Sequence, residues 1–218
     1  MARFDCVLYD FDGTLADSVP LIIKNQVMAY EKVLGRCDRT EEDLKSYIGR
    51  PLVDTFAMHD PDTAQKLLEA YLEINIKLLN DGSLALFDGV REELLELKKA
   101  GIKQGIVSSK RRESLDISLR NMELTDFFDV LITKEDTKEH KPDPEPIKKC
   151  SDILGIPVDR MMYVGDAKVD IECAKNTGCA SVFVDWSLMD KEMILKLSPD
   201  YIIKEMRELS CIIFDGEL

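Results

Sequence analysis

In 218 residues the chain holds two histidines, one tryptophan and six cysteines, and no two cysteines stand in C-x-x-C spacing. Without a Cys/His cluster there is no basis for a zinc site. A metal bound here is a hard cation held by carboxylates. Basic residues are also short: 29 Lys and Arg stand against 42 Asp and Glu, a formal net charge of −13. No basic stripe is available for a nucleic-acid backbone, and an anionic membrane surface is disfavoured for the same reason. Long apolar runs are missing. The longest stretch free of charged residues, Asn176 to Val184, covers nine positions, about half of the ~20 that span a bilayer. Near the start, the apolar run Cys6 to Tyr9 is bounded by Asp5 and Asp10. It is shorter than the roughly 7–15 apolar residues of a secretory segment. The expectation is a cytoplasmic protein whose cysteines at 6, 37, 150, 173, 179 and 211 act as small hydrophobes rather than disulfides.

What remains is a chain with 45% apolar residues, enough for a sizeable core in one or two domains. The run Phe4 to Tyr9 predicts a buried strand. A helical region follows, from about Asp17 to Gly82, with apolar residues such as Leu67, Leu68, Tyr71, Leu72 and Ile74 at helical spacing. Breaks fall at Gly35, at Gly49-Arg50-Pro51 and at Asp60-Pro61. From about Phe87 the rhythm changes to alternating helices and strands. Strands are expected at 103–108, 130–133, 161–164, 180–184 and 201–203. Helices are expected at 90–100, 113–122, 146–154, 169–177 and 191–197, with a last helix at the end. This alternation predicts an α/β fold, a doubly wound parallel sheet. The expected division is a core of residues 1–14 and 86–218, interrupted by a helical insertion over 15–85.

Ligands of such sheets bind beyond the carboxyl ends of the strands. The first strand ends Tyr9-Asp10-Phe11-Asp12-Gly13-Thr14 and the next ends Val107-Ser108-Ser109. A Pro-rich loop carries Lys141-Pro142-Asp143-Pro144, and a later strand ends Gly165-Asp166 with Asp170 four residues on. Taken singly, these are turn and helix-capping residues. Together they bring carboxylates, hydroxyls and one ammonium to a single edge. A carboxylate such as Asp10 is able to act as a nucleophile towards phosphorus.

The ordered set Asp10-x-Asp12-Gly13-Thr14, Ser108, Lys141 and Gly165-Asp166-x-x-x-Asp170 resembles the four motifs of the haloacid dehalogenase superfamily. The likeness is closest to its phosphoglycolate phosphatase-like branch, and the insertion resembles that branch's helical cap. The resemblance implies a Rossmann-like core and a Mg²⁺-dependent phosphatase acting on a small phosphorylated metabolite through an aspartyl-phosphate. It implies Asp10 as nucleophile and Asp12 as general acid/base. Metal would be held by Asp10, the Asp12 carbonyl and Asp166, with Asp170 facing either a metal-bound water or Lys141. Ser108, the backbone at Ser109 and Lys141 would hold the phosphoryl group. Arg50, in the Gly49-Arg50-Pro51 turn, would clamp a substrate carboxylate or second phosphate. Lys110-Arg111-Arg112 reads first as a solvated helix start, with a basic rim for anionic substrates as the alternative. A β-phosphoglucomutase-like mutase, a pyrophosphatase and a 5′-nucleotidase fit the same residues, and a phospho-Asp receiver fits less well. The partner is a small molecule, and the chain is expected to be a monomer or weak dimer.

Overall fold

The structure is a computed structural model and describes residues 2–48 and 52–215. The chain divides into two compact units, Met1–Asp17 with Leu86–Leu218, and Ser18–Ala85. Arg50 lies outside the described residues.

In the helical unit, α1 (Val19–Leu34) ends where Gly35 turns left-handed at φ 78° and donates its N–H to the Glu31 carbonyl. Thr40 and Asp43 cap α2 (Glu41–Lys45) reciprocally, each side chain accepting from the other's backbone N–H. A short α3 (Leu52–Thr55) precedes α4 (Pro61–Asn80). Asp60 accepts from the Thr63 N–H and Pro61 fills the first helical position, so this break in the pattern is a helix start. Tyr30, Phe56 and Tyr71 pack edge to face with ring centroids 5.8 and 6.2 Å apart. The His59 ring lies against Tyr30, tilted by 58° with centroids 5.7 Å apart.

The other unit is built on β1 (Cys6–Tyr9). Two-residue strands β2 (Ala16–Asp17) and β3 (Ala85–Leu86) mark the junctions of the insertion. Then come α5 (Val90–Lys99), β4 (Lys103–Val107), α6 (Arg112–Asn121), β5 (Val130–Ile132), α7 (Glu145–Leu154), β6 (Met161–Gly165), α8 (Lys168–Thr177), β7 (Ala180–Val184), α9 (Lys191–Leu195), β8 (Tyr201–Ile203) and α10 (Glu208–Ser210). Six strands form one sheet in the order β5-β4-β1-β6-β7-β8, and each neighbouring pair is parallel. Leu8 lies opposite both Gly105 and Tyr163. With helices on both faces, strand residues are buried on either side. That is why Cys6 to Tyr9 and Met161 to Val164 read as unbroken apolar runs with no exposed surface. Cys6, Cys150, Cys173 and Cys179 sit in this core as free thiols beside Leu8, Ile147 and Tyr163.

From β1 the chain winds outward through β4 and β5, then returns to β6 on the other side. The strand order therefore reverses at β1, and a crevice opens beyond the carboxyl ends of β1, β4 and β6. No helix among the described residues is long and apolar enough to cross a membrane.

Candidate active site

Asp10 is the first residue past β1. Its N–H donates to the Val164 carbonyl at 2.8 Å, which fixes its backbone against β6. The chain then turns sharply: Gly13 has φ 86°, and its N–H donates to the Ala16 carbonyl at 2.9 Å. A Cβ at Gly13 would lie 2.4 Å from Asp166 Oδ2. Glycine is thus required both by the turn and by the close approach of a carboxylate. Thr14 Oγ1 donates to Asp166 Oδ1 at 3.3 Å. Ser187 Oγ donates to the Asp166 carbonyl at 2.6 Å.

Lys141 reaches the same point from the loop between β5 and α7. Its ammonium lies 2.7 Å from Asp170 Oδ1 and 3.1 Å from Asp10 Oδ1. The loop is tied to α8, where Asn176 Nδ2 donates to the Pro142 carbonyl at 2.9 Å and Cys173 Sγ to the Asp143 carbonyl at 3.1 Å. Asp170 is fully engaged. Its Oδ1 accepts from Lys141 and lies 3.1 Å from the Tyr163 hydroxyl, and its Oδ2 accepts from the Ala167 N–H at 2.9 Å. Tyr163 OH also lies 2.8 Å from the Val107 carbonyl at the end of β4. The Lys141 ammonium stands 5.7 Å from the centre of the Tyr163 ring.

Asp10, Asp166 and Asp170 bring carboxylate oxygens within 4.8 Å of one another, facing one ammonium. The electrostatics reflect this shortage of positive charge. Burial pushes the Asp10 carboxyl up from 3.8 to about 6; Lys141 opposes the shift, and Asp170 and Asp12 add to it. Burial and then Asp170 hold Asp166 well above the ordinary carboxylate range. For Lys141, burial works against the charge, but Asp10 and Asp170 outweigh it and keep the ammonium more basic than usual.

Ser108 follows β4, is buried, and donates its N–H to the Ile132 carbonyl at 2.9 Å. With Lys141, Thr133 and the exposed Ser109 it lines a small cleft at this edge. Asp12 stands apart from the carboxylate cluster, gripped by Lys110 at 2.9 and 3.0 Å. Of the two readings of 110–112, the helix start holds for Arg111 and Arg112, at the beginning of α6, and the solvent-facing rim does not hold for Lys110. Lys110 turns inward to Asp12. Arg111 pairs with Glu135, and Arg112 with Asp136 and the Leu131 carbonyl. Each charge has an acidic partner close by, although the Arg111 side chain remains exposed. Sequence reasoning singled out Lys110 but not its pairing with Asp12, and it missed Tyr163. Lysine after two serines reads as a helix start, and a tyrosine inside the apolar run Met161 to Val164 reads as core. Neither position carries a pattern of its own.

The comparisons bear directly on this edge. The family model for haloacid dehalogenase-like hydrolases matches residues 7–184, which include Asp10, Ser108, Lys141, Asp166 and Asp170. The chain belongs to that family. A protein of Caldanaerobacter subterraneus subsp. tengcongensis, assigned by name as a pyrophosphatase, PpaX, is 39% identical over 211 residues, 97% of this chain and 95% of its own length. Pyrophosphatase PpaX of Bacillus cereus is 32% identical over 213 residues, 98% of each chain. Among solved structures, a haloacid dehalogenase-like hydrolase of Bacteroides fragilis superposes with a TM-score of 0.85 at 30% identity, over 95% of this chain and 100% of its own. A predicted phosphoglycolate phosphatase of Haemophilus somnus superposes with a TM-score of 0.89 at 21% identity, over 97% of this chain and 99% of its own, a likeness of fold. The protein is a hydrolase of the phosphatase kind, carrying the Rossmann-like parallel core of its family.

Proposed function

We propose that the protein is a Mg²⁺-dependent phosphatase of a small phosphate compound, with inorganic pyrophosphate as its leading substrate. The observation that carries this is the meeting of Asp10, Asp166 and Lys141 at the carboxyl edge of the sheet, with Ser108 lining the neighbouring cleft. The names of the relatives at 39% and 32% identity support pyrophosphate over the other substrates that the family residues permit.

The residues present fit a divalent cation. Asp10 Oδ1 is buried and accepts no well-directed hydrogen bond, and the donors on offer are hard carboxylate oxygens without histidine or thiol. Asp10, the Asp12 carbonyl and Asp166 would hold it. Asp170, with both oxygens engaged, is read as the brace of Lys141. When bound, Mg²⁺ supplies positive charge that eases the approach of a carboxylate to an anionic phosphoryl group.

In the first half-reaction Asp10 Oδ bonds to phosphorus, the bond to the leaving oxygen breaks, and Asp12 gives that oxygen a proton. Lys141 holds nucleophile and phosphoryl oxygens together, while Ser108 donates a hydrogen bond. In the second half-reaction water bonds to phosphorus, Asp12 takes its proton, and the bond to Asp10 breaks. The helical unit 18–85 is read as the family's cap, the part that selects the leaving group.

The test is Asp10→Asn, which removes the nucleophile and leaves the volume unchanged. Phosphate release should fall at least about 10⁴-fold, as for loss of a covalent nucleophile. A variant that keeps a tenth of the wild-type rate would overturn the assignment of Asp10.

A further inference from the structure

The partner of Asp12 is built with more care than an ordinary surface ion pair. Lys110 grips both carboxylate oxygens, at 2.9 and 3.0 Å. Its side chain is only 10% exposed, against 27% for Asp12. The ammonium stands 5.4 Å from the centre of the buried Phe11 ring. The lysine backbone is fixed on two sides: its N–H donates to Ser108 Oγ at 3.3 Å, and its carbonyl accepts from the Lys134 N–H at 3.4 Å. The other site cation, Lys141, is committed to Asp10 and Asp170. An exposed pair costs side-chain entropy and contributes about 0–1 kcal/mol. A pinned, desolvated one has its geometry set in advance.

We propose that Lys110 is a positioning residue. It holds the Asp12 carboxylate in one orientation and leaves each oxygen a second lone pair, directed at the water that hydrolyses Asp10-phosphate. This rests on the aspartyl-phosphate reading above. In that step the water oxygen bonds to phosphorus and one water proton passes to an Asp12 oxygen. The bond from phosphorus to Asp10 breaks and orthophosphate leaves. Lys110 keeps its protons throughout.

The experiment uses p-nitrophenyl phosphate with Mg²⁺. The burst of p-nitrophenol reports formation of the phosphoenzyme, and the steady state reports its hydrolysis. p-Nitrophenolate departs without help from an acid, so the two halves separate. For Lys110→Met the burst should persist near one equivalent, while the steady-state rate drops about 100-fold, within the range for general acid–base groups. KM should stay within about threefold, since a positioning residue acts on turnover rather than substrate binding. Lys110→Arg should recover most of the rate. Asp12→Asn with Lys110→Met should be no slower than Asp12→Asn alone, because the lysine acts through Asp12. A crystal structure of Lys110→Met should show the Asp12 side chain in more than one rotamer. Burst and steady state falling together, additive losses in the double variant, a rise in KM alone, or Asp12 in a single unchanged rotamer would each overturn the proposal. Full activity of Asp10→Asn would instead sink the phosphoenzyme reading. The Asp12 rotamer in Lys110→Met would then still decide what Lys110 does.

Discussion

Three carboxylates, Asp10, Asp166 and Asp170, crowd together, and the Lys141 ammonium pairs with Asp10 and Asp170 alone; this shortage of positive charge has a measurable sign. Burial pushes the Asp10 carboxyl up to about 6 in the folded protein, against 3.8 ordinarily. An acid held above its unfolded value binds its proton more tightly when folded. Its stabilising contribution is present in acid and is lost as pH climbs from about 4 to about 6. A divalent cation relieves the cost only where the carboxylates are charged. The rise in Tm on adding Mg²⁺ should therefore be clearly larger at pH 7.5 than at pH 5, as read by scanning calorimetry; equal rises would contradict this. Gly165 is a second sensitive position. A Cβ there would lie 2.3 Å from Asp170 Cβ, so Gly165→Ala must push α8 or Asp170 aside. A loss of about 1–3 kcal/mol is expected from such overpacking, together with most of the activity, because Asp170 braces Lys141. Tyr163→Phe removes only a hydroxyl. It should lower kcat several-fold with KM unchanged, since it acts on Asp170 and not on substrate.

Among the elements, the loop between β5 and α7 does the most to shape the site. It brings Lys141 from beyond β5 and is sewn to α8 by Asn176 and Cys173. Its first acidic residues, Glu135 and Asp136, take up Arg111 and Arg112. Arg111→Gln should consequently leave kcat/KM and its salt dependence within about twofold, as for most surface substitutions. Arg112→Gln should cost about 1 kcal/mol of stability from its lost hydrogen bonds, measured by urea titration. These pairings explain what was legible in the sequence. Apolar runs bounded by Gly, Pro and Asp marked the sheet strands to within a residue or two, because strands buried on both faces are mostly apolar, Gln104 in β4 and Ser181 in β7 being buried polar exceptions. β2 and β3 are two residues long, too short to show any period. The site residues with a fixed spacing, such as Asp10 with Asp12 and Asp166 with Asp170, stood out. The roles of Lys110 and Tyr163 did not, because each depends on a partner in another element: Asp12 after β1 for Lys110, and Val107 of β4 and Asp170 of α8 for Tyr163.

For the molecule as a whole, the insertion enters and leaves the sheet unit at adjacent points: the Phe87 N–H donates to the Leu15 carbonyl at 3.0 Å. A short linker replacing residues 18–85 would close the chain without strain, since loop-closure costs change slowly with length. The shortened protein should unfold in a single cooperative transition. It should keep slow, Asp10-dependent hydrolysis of acetyl phosphate and lose its preference among phosphate compounds. A preference retained in full would move substrate choice away from the helical unit. The most direct test of the phosphatase reading is orthophosphate release from inorganic pyrophosphate, with Mg²⁺ and with excess EDTA, for wild type and Asp10→Asn. The proposed phosphatase reading predicts rapid release by the wild type with Mg²⁺ alone, and release near background in the other three conditions. Equal release by wild type and Asp10→Asn, or release indifferent to EDTA, would contradict it.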